Sequence, residues 1–175
     1  MKIRFKQNKA TILKLLDSSP SIKRKLKILD KLNGTNEKDN IIILLKVLED
    51  TSWSLREKAA YKLAAFGPRV VNRLKKLCVR GYWFTRASAC LSLGEIGDLR
   101  ALAVIVKLLL TDDNPTVIKE ASQALVKMAR RMPAEFAAHL QEIELDKPQM
   151  IKILITLETI DIEVYSRIKE LIENE

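Results

Sequence analysis

Apolar and small residues return at four-residue steps along most of the chain, and the stripes come in pairs. Leu55, Ala59 and Leu63 form one stripe, Thr85, Ala89 and Leu93 a second, and Val117, Ala121, Leu125 and Ala129 a third. This spacing puts each set on one face of an α-helix. Another amphipathic segment precedes each stripe, over 41–48, 70–77 and 102–110. A weaker copy opens the chain, where 12–16 leads into Ile22 and Leu26 and Asp30 breaks the stripe. The segments of a pair meet at corners that align: Leu15-Leu-Asp-Ser-Ser-Pro-Ser-Ile-Lys23, Leu48-Glu-Asp-Thr-Ser-Trp-Ser-Leu-Arg56, Cys78-Val-Arg-Gly-Tyr-Trp-Phe-Thr-Arg86 and Leu110-Thr-Asp-Asp-Asn-Pro-Thr-Val-Ile118. They lie 33, 30 and 32 residues apart. The unit is helix, tight corner, helix.

Neither helix of such a pair can bury its apolar face alone, so successive pairs must stack and share a core. Ala59, Ala89 and Ala121 let the second helices approach closely, and Gly67 and Gly97 suit the left-handed residue that ends a helix. The pattern predicts an all-α fold: a right-handed α-solenoid of about five helix pairs plus a C-terminal capping helix. It forms a single domain, with repeats at about 10–34, 41–67, 70–97 and 101–131, a degenerate fifth at 133–160 and a cap over 161–175. The polar run Asn33 to Asn40 reads as a loop. Helices should start at Ser19-Pro20, Ser52-Trp53, Tyr82-Trp83 and Asn114-Pro115. Ser and Asn are good caps; Tyr82 is not, at an expected cost of about 1 kcal/mol.

Thr85-Arg-Ala-Ser-Ala-Cys-Leu-Ser-Leu-Gly-Glu-Ile-Gly-Asp98 resembles the signature of HEAT-like repeats, especially the short bacterial kind also found in phycobilisome lyases. The resemblance covers about 10–131. It implies that second helices line a concave face, where Tyr61 and Leu91 would be available to a partner. It also implies a ladder of acids and bases along the stack. Asp17, Asp50 and Asp112 precede their corners, and Lys23 and Arg56 follow six residues after the first two. The third unit has Arg80 in the acid's place and keeps the base as Arg86, which should reach Asp50 or Asp112 and leave Arg80 without a mate.

Two local rules thus break at one corner, which also holds three of the chain's nine aromatic residues, Tyr82, Trp83 and Phe84. The rings could simply cover a groove between repeats. Alternatively Trp53 and Trp83, about 10 Å apart on adjacent repeats, join Tyr82, Arg56, Arg80 and Arg86 in a basic aromatic rim. Such a rim would take an acidic peptide or stack unpaired bases.

Charge adds a second candidate. Residues 1–80 carry 20 Lys and Arg against 7 Asp and Glu, whereas 81–175 carry 11 against 15. Lys23, Arg24, Lys27, Arg73 and Lys76, with Lys2, Arg4, Lys6 and Lys9, make the first half basic. This is a solvated face or a contact for phosphates and acidic partners. No apolar run approaches the roughly 18 residues needed to span a membrane. The charged start is not followed by the apolar stretch of a secretory signal. Cys78 and Cys90 read as buried free thiols of a cytoplasmic protein.

Catalytic patterns are missing. The single histidine, His139, reads as a partly buried packing residue, and no zinc ligand spacing, phosphate loop or nucleophile elbow occurs. Asp112-Asp113 reads as turn chemistry. Bilin lyases are similar only through their repeats. HEAT-like alkylpurine DNA glycosylases use residue types that Trp83, Asp112 and Arg86 supply without an alignable motif. The expectation is a non-enzymatic scaffold without cofactor, metal or small-molecule substrate, binding a protein, with nucleic acid through the basic half as the alternative.

Overall fold

The stripes fall on helices throughout. A computed structural model describes residues 8–32 and 36–174. Among these residues it contains α1 (Lys9–Ser18), α2 (Ile22–Asp30), α3 (Glu37–Val47), α4 (Trp53–Ala64), α5 (Val71–Arg80), α6 (Trp83–Ile96), α7 (Leu102–Thr111), α8 (Pro115–Arg131), α9 (Pro133–Gln141), α10 (Lys147–Ile160) and α11 (Ile162–Glu173). Short 3₁₀ turns, Gly67–Val70 and Leu99–Ala101, lead into α5 and α7, and none of the described residues forms a strand.

Packing follows the predicted bricks. In each of the first four pairs one helix packs on the next, and α2, α4, α6 and α8 stack side by side as one layer. Every stripe residue of α4, α6 and α8 named above is buried. A fully buried leucine contributes about 1.5–3 kcal/mol, so this seam, rather than any single helix, holds the chain together. α6 is the most enclosed helix: from Ala87 to Gly94 no residue is exposed. Its Ser92 hydroxyl donates to the Ala60 carbonyl of α4 at 2.8 Å, satisfying a buried polar group across the seam. Gly97 ends α6 with φ 72°, in the left-handed region. On the second helices, Lys58 pairs with Asp30 and Lys127 with Glu95, both at 2.5 Å, tying the second repeat to the first and the fourth to the third.

Several expectations change. Ser21 caps α2, accepting from the Arg24 amide, while Ser19 is buried and its hydroxyl has no partner among the described residues. That later start turns Ile22 outward (49% exposed) and makes Leu29 the buried anchor. The second half of the supposed loop is helical: Asn36 caps α3, which begins at Glu37, and 33–35 lie outside the described residues. At the C-terminal end α10 packs along α11 rather than along α9, and α9 packs on α8 and α11. The chain reverses at Met132-Pro133, so α9 reads as an insertion before a last pair made of α10 and α11.

Candidate partner-binding corner

The third corner is one residue shorter than the fourth. α5 runs to Arg80, leaving only Gly81 and Tyr82 before α6, whereas Asp112, Asp113 and Asn114 separate α7 from α8. Gly81 makes the tight passage possible. A Cβ there would lie 2.6 Å from the Leu77 carbonyl oxygen and 2.9 Å from the Thr85 side chain. Tyr82 starts α6 with no side-chain cap, its carbonyl accepting from the Thr85 and Arg86 amides at 2.9 Å. Ser52, expected to cap α4, makes no side-chain cap either; Asn114 does cap α8.

The ladder runs forward along the stack. Arg86 forks onto Asp112 of the next repeat, Nε to Oδ2 at 2.7 Å and Nη2 to Oδ1 at 2.8 Å. Lys25, not Lys23, reaches Asp50 at 2.9 Å. Each acid also accepts the amide of the residue starting the following helix: Asp50 from Ser52 at 2.8 Å, Asp112 from Asn114 at 3.0 Å. Burial alone would raise both carboxyls, but the cationic donors and these amides hold them below the usual carboxylate range.

With no acid in the third corner, Arg56 is the base left without one. It is 4% exposed, and burial lowers its guanidinium from its ordinary value despite the attraction of Asp50. Its Nη1 donates to the Asp50 carbonyl at 2.7 Å, and its Nε has no partner among the described residues. The cation lies between two rings, 5.6 Å from the centre of Trp53 and 5.0 Å from that of Phe84. Phe84 stacks under Tyr82 with centroids 5.4 Å apart, and Trp83 meets it edge-on at 5.6 Å. A column of ring, cation, ring and ring thus links the second and third repeats. Its outer members stay open to solvent: Trp53 at 38%, Trp83 at 44% and Tyr82 at 72%.

These positions sort the candidates. Trp53, Tyr82 and Trp83 are all exposed around the Arg56–Phe84 contact. Arg56 and Arg86 do not make this rim basic: one lies beneath the rings and the other is bound to Asp112. Arg80 is exposed and has no acid partner among the described residues. Tyr61 is exposed on α4, but Leu91 is buried, because α4 and α8 close over the small residues of α6. Lys23, Arg24 and Lys27 are exposed on α2, Arg73 and Lys76 on α5, so this charge is divided between different helices; Lys2, Arg4 and Lys6 lie outside the described residues. His139 is exposed rather than packed, its Nδ1 2.9 Å from the Glu135 carbonyl oxygen. It edges a shallow hollow of about 550 Å³ with Ile96 and Met132.

Sequence reasoning missed two features. One is the Arg56–Phe84 contact, although Arg80 in the acid's place signalled it once bases are known to reach forward. The other is a hollow of about 360 Å³ beside Tyr82, where α1 and the second corner meet the third. Residues this far apart leave no local signal. No helix among the described residues is long and apolar enough to cross a membrane. The family model for HEAT repeats matches residues 41–126 and, overlapping it, 80–154. None of the curated proteins matches the chain.

Proposed function

Because the chain belongs to the HEAT-repeat family, whose repeats generally mediate contacts between proteins, we propose that it is a non-catalytic scaffold or adaptor. It holds a partner protein against the concave face, where Tyr61 is exposed, and against the third corner. The observation that carries this reading is the exposure of Tyr82, Trp83 and Trp53 on a surface braced from within by Arg56 and Phe84. Rings held this way lose little freedom on binding, and aromatic residues are enriched among those that dominate interface energy. In this reading the protein works in the cytoplasm, where the buried thiols of Cys78 and Cys90 stay reduced.

Exposed Lys23, Arg24 and Lys27 favour a second reading, binding of nucleic acid by the basic half. Retrieval of partners from native lysate, with and without nuclease, separates the two. A scaffold retains its partner after nuclease and loses it when Tyr82→Ala and Trp83→Ala are combined. A nucleic-acid binder loses its cargo to nuclease and weakens by orders of magnitude between about 50 and 200 mM salt.

A further inference from the structure

The hollow beside Tyr82 has a definite chemistry. Leu13 and Leu16 of α1 and Val47 of α3 give it an apolar lining, and Asp17, Glu49 and Asp50 bring three carboxylates to it. Two of the three already hold a cation: Lys46, which also lines the hollow, is bonded to Glu49 at 2.6 Å, and Lys25 to Asp50 at 2.9 Å. Asp17 is exposed; its side chain makes no hydrogen bond or ion pair among the described residues, though it attracts Lys46. The Tyr82 ring is stacked on Phe84 and otherwise open, at 72% exposure the most exposed large apolar side chain of the molecule among the described residues. The neighbourhood therefore offers apolar wall, open aromatic face and one carboxylate unpaired among the described residues, Asp17, within one cavity.

That combination suits the side chain of a lysine or arginine. The aliphatic stem covers Leu13 and Val47, the charged head meets Asp17, and the cation lies against the tyrosine face. Phosphates and acidic peptides meet repulsion from Asp17 here, and of the rim arginines Arg56 and Arg86 are occupied, which leaves Arg80 alone exposed. We infer that the partner docks through a basic segment, one lysine or arginine of which enters this hollow; the inference rests on reading the third corner as the partner-facing surface.

The test uses the full chain and three fluorescein-labelled probes followed by anisotropy: a peptide rich in lysine and arginine, a glutamate-rich peptide of equal length, and a single-stranded oligonucleotide. The basic peptide is expected to bind in preference to both others. Asp17→Asn and Tyr82→Ala should each weaken it about three-fold, as exposed ion pairs and cation–π contacts do. Asp17→Lys should weaken it more, whereas Tyr82→Phe and the remote Glu163→Gln should leave it unchanged. Asp17 and Tyr82 are exposed, and thermal melts of each variant confirm that the fold persists. The inference is overturned if the acidic peptide or the oligonucleotide binds as tightly as the basic peptide. It is equally overturned if Asp17→Lys and Tyr82→Ala bind the basic peptide as the parent chain does. A corner-dependent protein partner alongside a failed peptide test removes this inference alone; a partner released by nuclease removes the corner reading beneath it.

Discussion

The guanidinium of Arg56 lies 5.0 Å from the ring centre of Phe84, a residue of the following repeat. Lys25 and Arg86 meet the carboxylates of Asp50 and Asp112 at the comparable step. An aromatic ring has taken the acid's place, and this substitution fixes the exposed rings above it.

Arg56 therefore acts as a packed spacer more than as a charge. Arg56→Met keeps the volume and gives the rings a polarizable partner, so urea melts should show a change within about 1 kcal/mol. Arg56→Ala opens a cavity between Trp53 and Phe84 and should cost about 2–4 kcal/mol. Equal losses from the two would show that the charge itself matters.

Gly81 is needed for space. Its φ of −76° suits any residue, but an added Cβ meets the Leu77 carbonyl oxygen and Thr85. Gly81→Ala should destabilise by about 1–3 kcal/mol, whereas Asp113→Ala in the longer fourth corner, with its side chain 94% exposed, should stay within about 0.5 kcal/mol. Denaturant midpoints of the two variants check this contrast.

Asp112 links stability to pH. Its carboxyl titrates below its ordinary value in the folded chain, so its contribution is present above the unfolded value of about 3.9 and fades as pH falls through the folded one. Asp112→Asn, which leaves Arg86 without its forked partner, should cost about 1–3 kcal/mol at pH 7. The gap between parent and variant should close below about pH 4. A gap that persists at acid pH would contradict the assignment.

Glu120 has the opposite sign. Burial pushes its carboxyl above the ordinary value, with Glu57 adding repulsion and Lys119 and Lys127 only partly offsetting both. The folded state is thus favoured at low pH, and that advantage is lost as pH rises through the folded value. Glu120→Gln should stabilise the fold at pH 7 by less than about 1 kcal/mol after solvent screening, seen as a slightly higher melting temperature, and give no gain in acid. A lower melting temperature at pH 7 would show that the carboxylate is stabilising.

The seam was legible because it is periodic: Ala59, Ala89 and Ala121 recur at one place in each unit and are all buried. Ends and corners were less so. Ser19-Pro20 resembled a helix start, yet Ser21 holds the cap, which moved the ladder's base from Lys23 to Lys25. The third corner stood out by its residue types, which suggested a basic rim, whereas Arg56 lies under the rings and Arg86 is bound to Asp112. The ladder left Arg86 to reach Asp50 or Asp112, and it reaches Asp112; nothing in the sequence reveals that Asp17, 65 residues before Tyr82, lines the same hollow. Tertiary contacts between distant repeats decide which charges remain available.

The most direct test places the photo-crosslinking residue p-benzoylphenylalanine at Tyr82 and, separately, at Lys76 on α5, followed by irradiation of living cells. The expected result is a nuclease-resistant protein adduct from position 82 and none from position 76. Adducts containing nucleic acid from position 76, with none from position 82, would contradict the third corner as the surface that meets a protein partner.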